Sequence, residues 1–121
     1  MPATADHIRQ ATRNSQFLSA FDLRTTQHAD WAITVAFYIA VHLVEAHFAG
    51  SRMHFRRHED RNREVSVQLP AIETAYTLLY KESRKARYDC LPITCGDAQR
   101  ALQNWYEPVR SHLCQLLGVT L

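Results

Sequence analysis

A chain of 121 residues with 46% hydrophobic side chains, only three glycines and no Ser-, Gln- or Pro-rich tract has the composition of a folded protein and not of a disordered or repetitive one. The length suits one core that holds without staples, so a single domain over residues 1–121 is expected. A net charge of +2 is too small for a protein that coats polyanions through bulk charge alone.

The first predicted element runs from about Thr4 to Leu23, where Ile8, Ala11, Ser15, Leu18 and Phe21 follow the spacing of an amphipathic helix. Its N-terminal residues "MPATADHIRQ" lack the basic and apolar regions of a signal peptide. After "RTTQHAD", in which Thr26 or Asp30 is a candidate cap, Trp31 to Phe48 is apolar on most sides. Trp31, Val35, Tyr38 and His42 form one stripe, and Ala32, Ala36, Ile39, Leu43 and Ala46 the next. His42, Glu45 and His47 interrupt the run, so it reads as a central buried helix and not as a membrane span.

Gly50 and Ser51 signal its end. The stretch "HFAGSRMHFRRHEDR" then packs three histidines and four arginines into fifteen residues. If 54–65 is helical, His54, His58, Arg61 and Val65 share a narrow face, with Arg56–Asp60 and Glu59–Arg63 as surface pairs. The alternation "VSVQL" has no partner strand and reads as a helix end and a turn. Pro70 opens another helix to about Tyr88, with Ala71, Ala75, Leu78, Leu79, Glu82 and Ala86 in register. "CLPITCG" is a loop, and Asp97 is a candidate cap for a last helix carrying Ala98, Ala101, Leu102, Trp105, Val109, Leu113 and Leu116. Pro108 should kink that helix and Gly118 should end it. The expected fold is all-α, an antiparallel bundle of four main helices with one short inserted helix.

From Arg52 to Arg87 nine Lys/Arg stand against five Asp/Glu, and twelve of the fourteen basic residues are Arg. Guanidinium suits bidentate contact with phosphate or carboxylate. An imidazole that moves protons near neutral pH, beside a guanidinium, is the minimum equipment for metal-independent RNA cleavage. The competing reading is a solvated, ion-paired helix. In "YTLLYKESRKARYD", Tyr76, Tyr80, Arg84, Arg87 and Tyr88 step along one side of a helix, where rings and guanidinium groups can stack bases and hold phosphates. Alternatively the rings pack at the core margin and the arginines pair with Glu45 or Asp89. His42 reads as a hydrogen-bonded core histidine, with Glu45 as its orienting partner or as an ion-pair acceptor for an arginine.

His54 and His58 have the i, i+4 spacing of zinc ligands but no H-E-x-x-H context, and Cys90, Cys95 and Cys114 lack paired C-x-x-C spacing. No metal and no cofactor is therefore expected. The cysteines read as reduced thiols of a cytoplasmic protein, with Cys90–Cys95 pairing under oxidation as the alternative. Trp31, Phe37, Phe48, Trp105 and Tyr106 exceed what one small core absorbs, which leaves some for a partner.

The ordered series "ADWAITVAFYIAVHLVEAHF", "HFRRHEDR" and "SRKARYD" resembles the small stand-alone bacterial HEPN proteins (higher eukaryotes and prokaryotes nucleotide-binding) over roughly residues 29 to 112. The resemblance implies a helical bundle, a homodimer, and binding of RNA or nucleotide. It also implies either a metal-independent ribonuclease of a toxin or phage-defence system or a non-catalytic interaction module working with a cognate antitoxin or effector protein. The family's signature is Arg, four to six residues, then His. Carried over, it implies Arg52 as phosphate contact and His58 as general base or acid, with Arg61 alongside. His54, Arg84, Arg87 and Tyr88 are then the substrate-binding candidates.

Overall fold

The computed structural model describes all 121 residues. It is all-helical: α1 (Thr4–Ser19), α2 (Ala29–Ala49), α3 (His58–Gln68), a 3₁₀ turn (Pro70–Ile72), α4 (Glu73–Tyr88), α5 (Cys95–Ala101), a π turn (Leu102–Tyr106) and α6 (Glu107–Leu117). α1 stops four residues short of the predicted Leu23. Its buried residues are His7 and Ala11, so its inward stripe is turned slightly from the one the apolar spacing gave.

α2 is the centre, touching α1, α4, α5 and α6. Ala32, Ile33, Ala36, Phe37, Ile39, Leu43, Val44, Ala46 and Phe48 are buried in it. Transfer of such side chains from water is the main drive to fold, at about 25 cal/mol per Å² of apolar surface. Only Trp31 and Tyr38, two turns apart, stand exposed along its length. α2 is long and apolar enough to cross a membrane, but 78% of its most apolar window is buried inside the protein. Neither predicted cap of α2 operates as such: the first flanking residue is His28. The Thr26 hydroxyl instead accepts from the His28 N–H at 3.0 Å.

The exit from α2 departs from expectation. Gly50 keeps a right-handed φ of −61°, and Arg52 takes the left-handed conformation at +60°. Amides of Ser51 and Met53 both return to the Phe48 carbonyl, and this closure forces the later residue over. α3 begins at His58, not before it: Met53 and Phe55 pack on the core from an extended segment, and no side-chain cap starts a helix earlier. His54 is therefore not on its face, and the surface pairs become Arg57–Glu59 and Arg63–Asp60.

Pro70 opens a 3₁₀ turn that leads into α4, as its fixed φ allows. Its buried positions are Tyr76, Leu79 and Ser83, so Tyr76 belongs to the core. α5 is capped by Thr94, not Asp97: the Thr94 hydroxyl accepts from the Asp97 N–H at 3.0 Å while the Asp97 carboxylate accepts from the Thr94 N–H at 2.9 Å. The kink expected at Pro108 takes the form of the π turn just before it. A wider turn removes the clash between the proline ring and the preceding carbonyls.

Gly118 ends α6 with φ +69°, and the Val119 amide returns to the Cys114 carbonyl at 3.0 Å. Nothing lies within 4 Å of a Cβ placed there, so the cost of a side chain is conformational only. Gly118→Ala is expected to lower unfolding free energy by about 1 kcal/mol in urea titration. An unchanged midpoint would show that the left-handed turn is not held in solution.

Candidate nucleic-acid interface

The site is built outward from one buried ion pair. Glu45 is the only Asp or Glu deep in α2, 4% exposed, and a lone carboxylate there would be costly. Arg61, 5% exposed, donates from Nε to its Oε1 at 2.8 Å. The remaining donors of Arg61 fix the loop and the helix start: Nη2 donates to the Phe55 carbonyl at 3.0 Å and Nη1 donates to His58 Nδ1 at 3.0 Å. The Tyr76 hydroxyl, buried beside this pair, has no partner, and burial pushes its phenol pKa up.

His58 is the first residue of α3 and half-buried. Its ring packs on Phe37 at 5.6 Å and Tyr80 at 5.5 Å between centroids. Arg84 lies 6.0 Å over the same Tyr80 ring and 5.2 Å over Tyr88. Arg87 lies over Phe37, Tyr38 and Tyr88 at 5.6, 5.5 and 5.3 Å, and donates to the Tyr38 hydroxyl at 2.9 Å. Neither Arg84 nor Arg87 enters an ion pair. The alternative in which they pair with Glu45 or Asp89 is not what the side chains do. His58, Arg84, Arg87 and Tyr88 thus form one aromatic and cationic face between α2, α3 and α4.

Burial holds the His58 pKa below the ordinary imidazole value, and the positive charges of Arg61, Arg87 and Arg84 add to that, against a weaker pull from Glu59. A position in the first turn of a helix acts in the same direction. A guanidinium can only donate, so the Nδ1 that receives Arg61 must be unprotonated. Neutral His58 then carries its proton on Nε2, which is left as a donor.

The three residues expected to act together in catalysis are not assembled. Arg52 is exposed on the turn after α2 and makes no hydrogen bond to His58. Arg61 is sealed beneath His58 and positions it instead of reaching solvent. His54, expected on one helix face with His58, precedes α3 and instead lines a cavity of about 250 Å³ with His7, His42 and Arg56, on the other side of the Glu45–Arg61 pair that also borders it, and its buried Nδ1 has no partner. His7 and His42 were not foreseen as a pair: their Nδ1 atoms are 3.0 Å apart, and one must donate to the other. Burial lowers both pKa values. The place of His7 one turn before Ala11 on the inward side of α1 is the only sequence signal for that contact.

No group of three or more His, Cys, Asp or Glu is placed to hold a metal ion, and the three cysteines are free thiols. No protein-family model, no curated protein and no solved structure matches the chain.

Two outcomes test this geometry. Glu45→Gln should cost about 3–5 kcal/mol in denaturant unfolding, because it leaves Arg61 charged and buried, while the double change Glu45→Leu with Arg61→Met should recover most of that loss. Equal losses in the single and double variants would break the assignment. For pH, the folded-state values of His7, His42 and His58 lie below their ordinary 6.5, so the unfolded chain takes up protons first as pH falls. Stability is full above about pH 6.5 and declines below it, well before carboxylates titrate. A melting temperature that stays level from pH 7 to pH 5 would contradict this.

Proposed function

We propose that this chain is a HEPN-type helical bundle that binds single-stranded RNA or nucleotide phosphate, acting as a cytoplasmic homodimer. One observation carries the reading: Arg84 and Arg87 are stacked on rings, free of every carboxylate, and converge with half-buried His58. Stacked rings offer faces to bases, and the uncommitted N–H donors offer themselves to phosphates. The face coincides with the blocks "HFRRHEDR" and "SRKARYD" on which the family resemblance rests.

Metal-independent cleavage, the sharper form of the reading, needs His58 to accept the proton of a 2′-hydroxyl. The lone pair on Nδ1 is taken by the Arg61 donor, while Nε2 already bears hydrogen. His58 as placed is suited to donating to a phosphoryl oxygen, a binding role. Proton transfer requires Arg61 to release Nδ1, so that the proton can sit there and Nε2 can act as base. In that form the chain serves as a toxin or defence effector; in the binding form it acts through a partner protein.

A second reading, a non-catalytic interaction module, is favoured by the apolar hollow of Phe17, Phe21, His28 and Trp31. Phe17 is 56% and Trp31 57% exposed there, two large rings side by side on the surface, as an interaction patch presents them.

Fluorescence anisotropy with a labelled single-stranded RNA, over a salt series in chelator, tests the proposal. Arg84→Ala and Arg87→Ala should each weaken binding and lower the slope of log K against log salt by about 0.7. His58→Ala should weaken binding by about 1.5–3 kcal/mol. RNA cut by the parent chain and left intact by His58→Ala would establish the proton-transfer form. An absence of binding in the parent chain would leave the interaction-module reading.

A further inference from the structure

Beside the cationic face, between the start of α2 and the end of α4, lies a second cavity of about 290 Å³ lined by Asp30, Trp31, Thr34, Ala86 and Arg87. It is near the lower end of the size range of small-ligand sites. Its lining is chemically unusual for a surface hollow of a helical protein. The indole of Trp31 is 57% exposed, although a ring of that size is ordinarily covered. The Asp30 carboxylate enters none of the ion pairs of the chain, and only the Asp30 carbonyl is used, as acceptor for the Thr34 hydroxyl at 2.9 Å. Arg87 spends Nη1 on Tyr38, while its buried Nε has no partner. A flat apolar surface, an uncommitted acceptor pair and an uncommitted cation therefore share one opening.

Those three features suit the face of a base, its edge and the phosphate of one nucleotide. A base stacks on indole, a carboxylate reads its Watson–Crick edge, and a guanidinium holds its phosphate. Among the four bases of RNA the carboxylate discriminates by donor count. Guanine presents N1–H and the N2 amino group side by side, so both oxygens of one carboxylate are engaged in parallel. Adenine and cytosine each offer one amino group next to an acceptor that repels carboxylate, and uracil offers a single N–H between two carbonyls. Arg87 belongs to both the cavity and the cationic face, because the same guanidinium lies 5.3 Å over the exposed Tyr88 ring that Arg84 also covers. A base seated on Trp31 would then have its phosphate at Arg87, on the margin of that face.

From this geometry we infer that the Asp30–Trp31–Arg87 cavity is a guanine-binding subsite, which selects the nucleotide whose phosphate Arg87 holds. The inference rests on the RNA-binding reading for its biological meaning, but not for its test.

The experiment is a titration of the intact chain with the four 5′-ribonucleoside monophosphates, followed by tryptophan emission. Trp31 and Trp105 are the two emitters, so each is assigned by Trp31→Phe and Trp105→Phe. Guanosine monophosphate should quench emission at concentrations about ten- to a hundredfold below the other three, as expected for one bidentate contact. The quench should vanish in Trp31→Phe and persist in Trp105→Phe. Asp30→Asn should bring guanosine monophosphate to the level of the other three, since an amide can meet only one of the two guanine donors. Selective quenching in a chain that cuts no RNA supports the subsite while the cleavage form fails. Equal quenching by all four nucleotides, or selectivity unchanged in Asp30→Asn, overturns the subsite even if RNA is bound and cut. Trp31 emission that follows protein concentration and ignores nucleotide also overturns it, and assigns the indole to a second copy of the chain.

Discussion

The buried contact between Arg61 and Glu45 is the constraint on which the site depends. It joins α3 to the central helix at a point where either charge alone would be costly to bury. Because guanidinium presents donors in several fixed directions, the same residue also ties down the Phe55 carbonyl and His58. The segment 50–57 has no helix of its own to satisfy its backbone, so this side chain supplies what secondary structure does elsewhere. Removing the pair in favour of apolar residues would cost little in stability and would free His58 to turn. The pair therefore contributes more through what it positions than through what it stabilises.

Positioning has a chemical consequence. The donor that locks the His58 ring also decides its tautomer, since nothing but a lone pair can receive a guanidinium N–H. Burial and three nearby guanidinium groups then keep the ring neutral. A ring fixed in this way is a well-aimed hydrogen-bond donor and a poor proton shuttle, for a shuttle must alternate between its two states at one outward nitrogen. Rigidity and turnover are thus opposed at one atom, Nδ1, and the balance is set from inside the core and not from the open face.

Much of the fold was legible because apolar periodicity is a direct record of burial. α2 and α4 follow from it, while the stop at Gly118 follows from the glycine itself. What stayed hidden were choices between like residues. Four arginines surround His58 in the sequence, and charge pattern alone does not say which one goes inside. The register does hold a clue: Arg61, Val65 and Leu69 are spaced by four, and all three are buried. Glu45, set in an otherwise apolar helix, called for a cation, and an arginine was the natural supply. His54 was misplaced because helical spacing was extended through residues that lack a cap, and the chain begins α3 only where the Arg61 contacts hold it. Tyr76 was assigned to the outer face because tyrosine suits both surface and core; burial of Leu79 and Ser83 one turn on turns it inward. The pairing of His7 with His42, distant in sequence, leaves no periodic trace.

The outer arginines show why the character of their neighbours matters more than their number. An arginine beside a carboxylate spends its in-plane N–H donors on that carboxylate, and its field is cancelled at short range. An arginine laid over a ring engages the ring through its flat face, so its edge donors remain available and its charge remains unneutralised. Arg100 and Arg110, each bonded to an acid three residues earlier, belong to the first kind, whereas Arg84 and Arg87 belong to the second. Their rings, Tyr38, Tyr80 and Tyr88, are supplied by two helices that the core already holds together. At this face unneutralised charge and exposed aromatic surface stand together, and a ligand that needs both at once, a base with its phosphate, is the one that gains most from docking there.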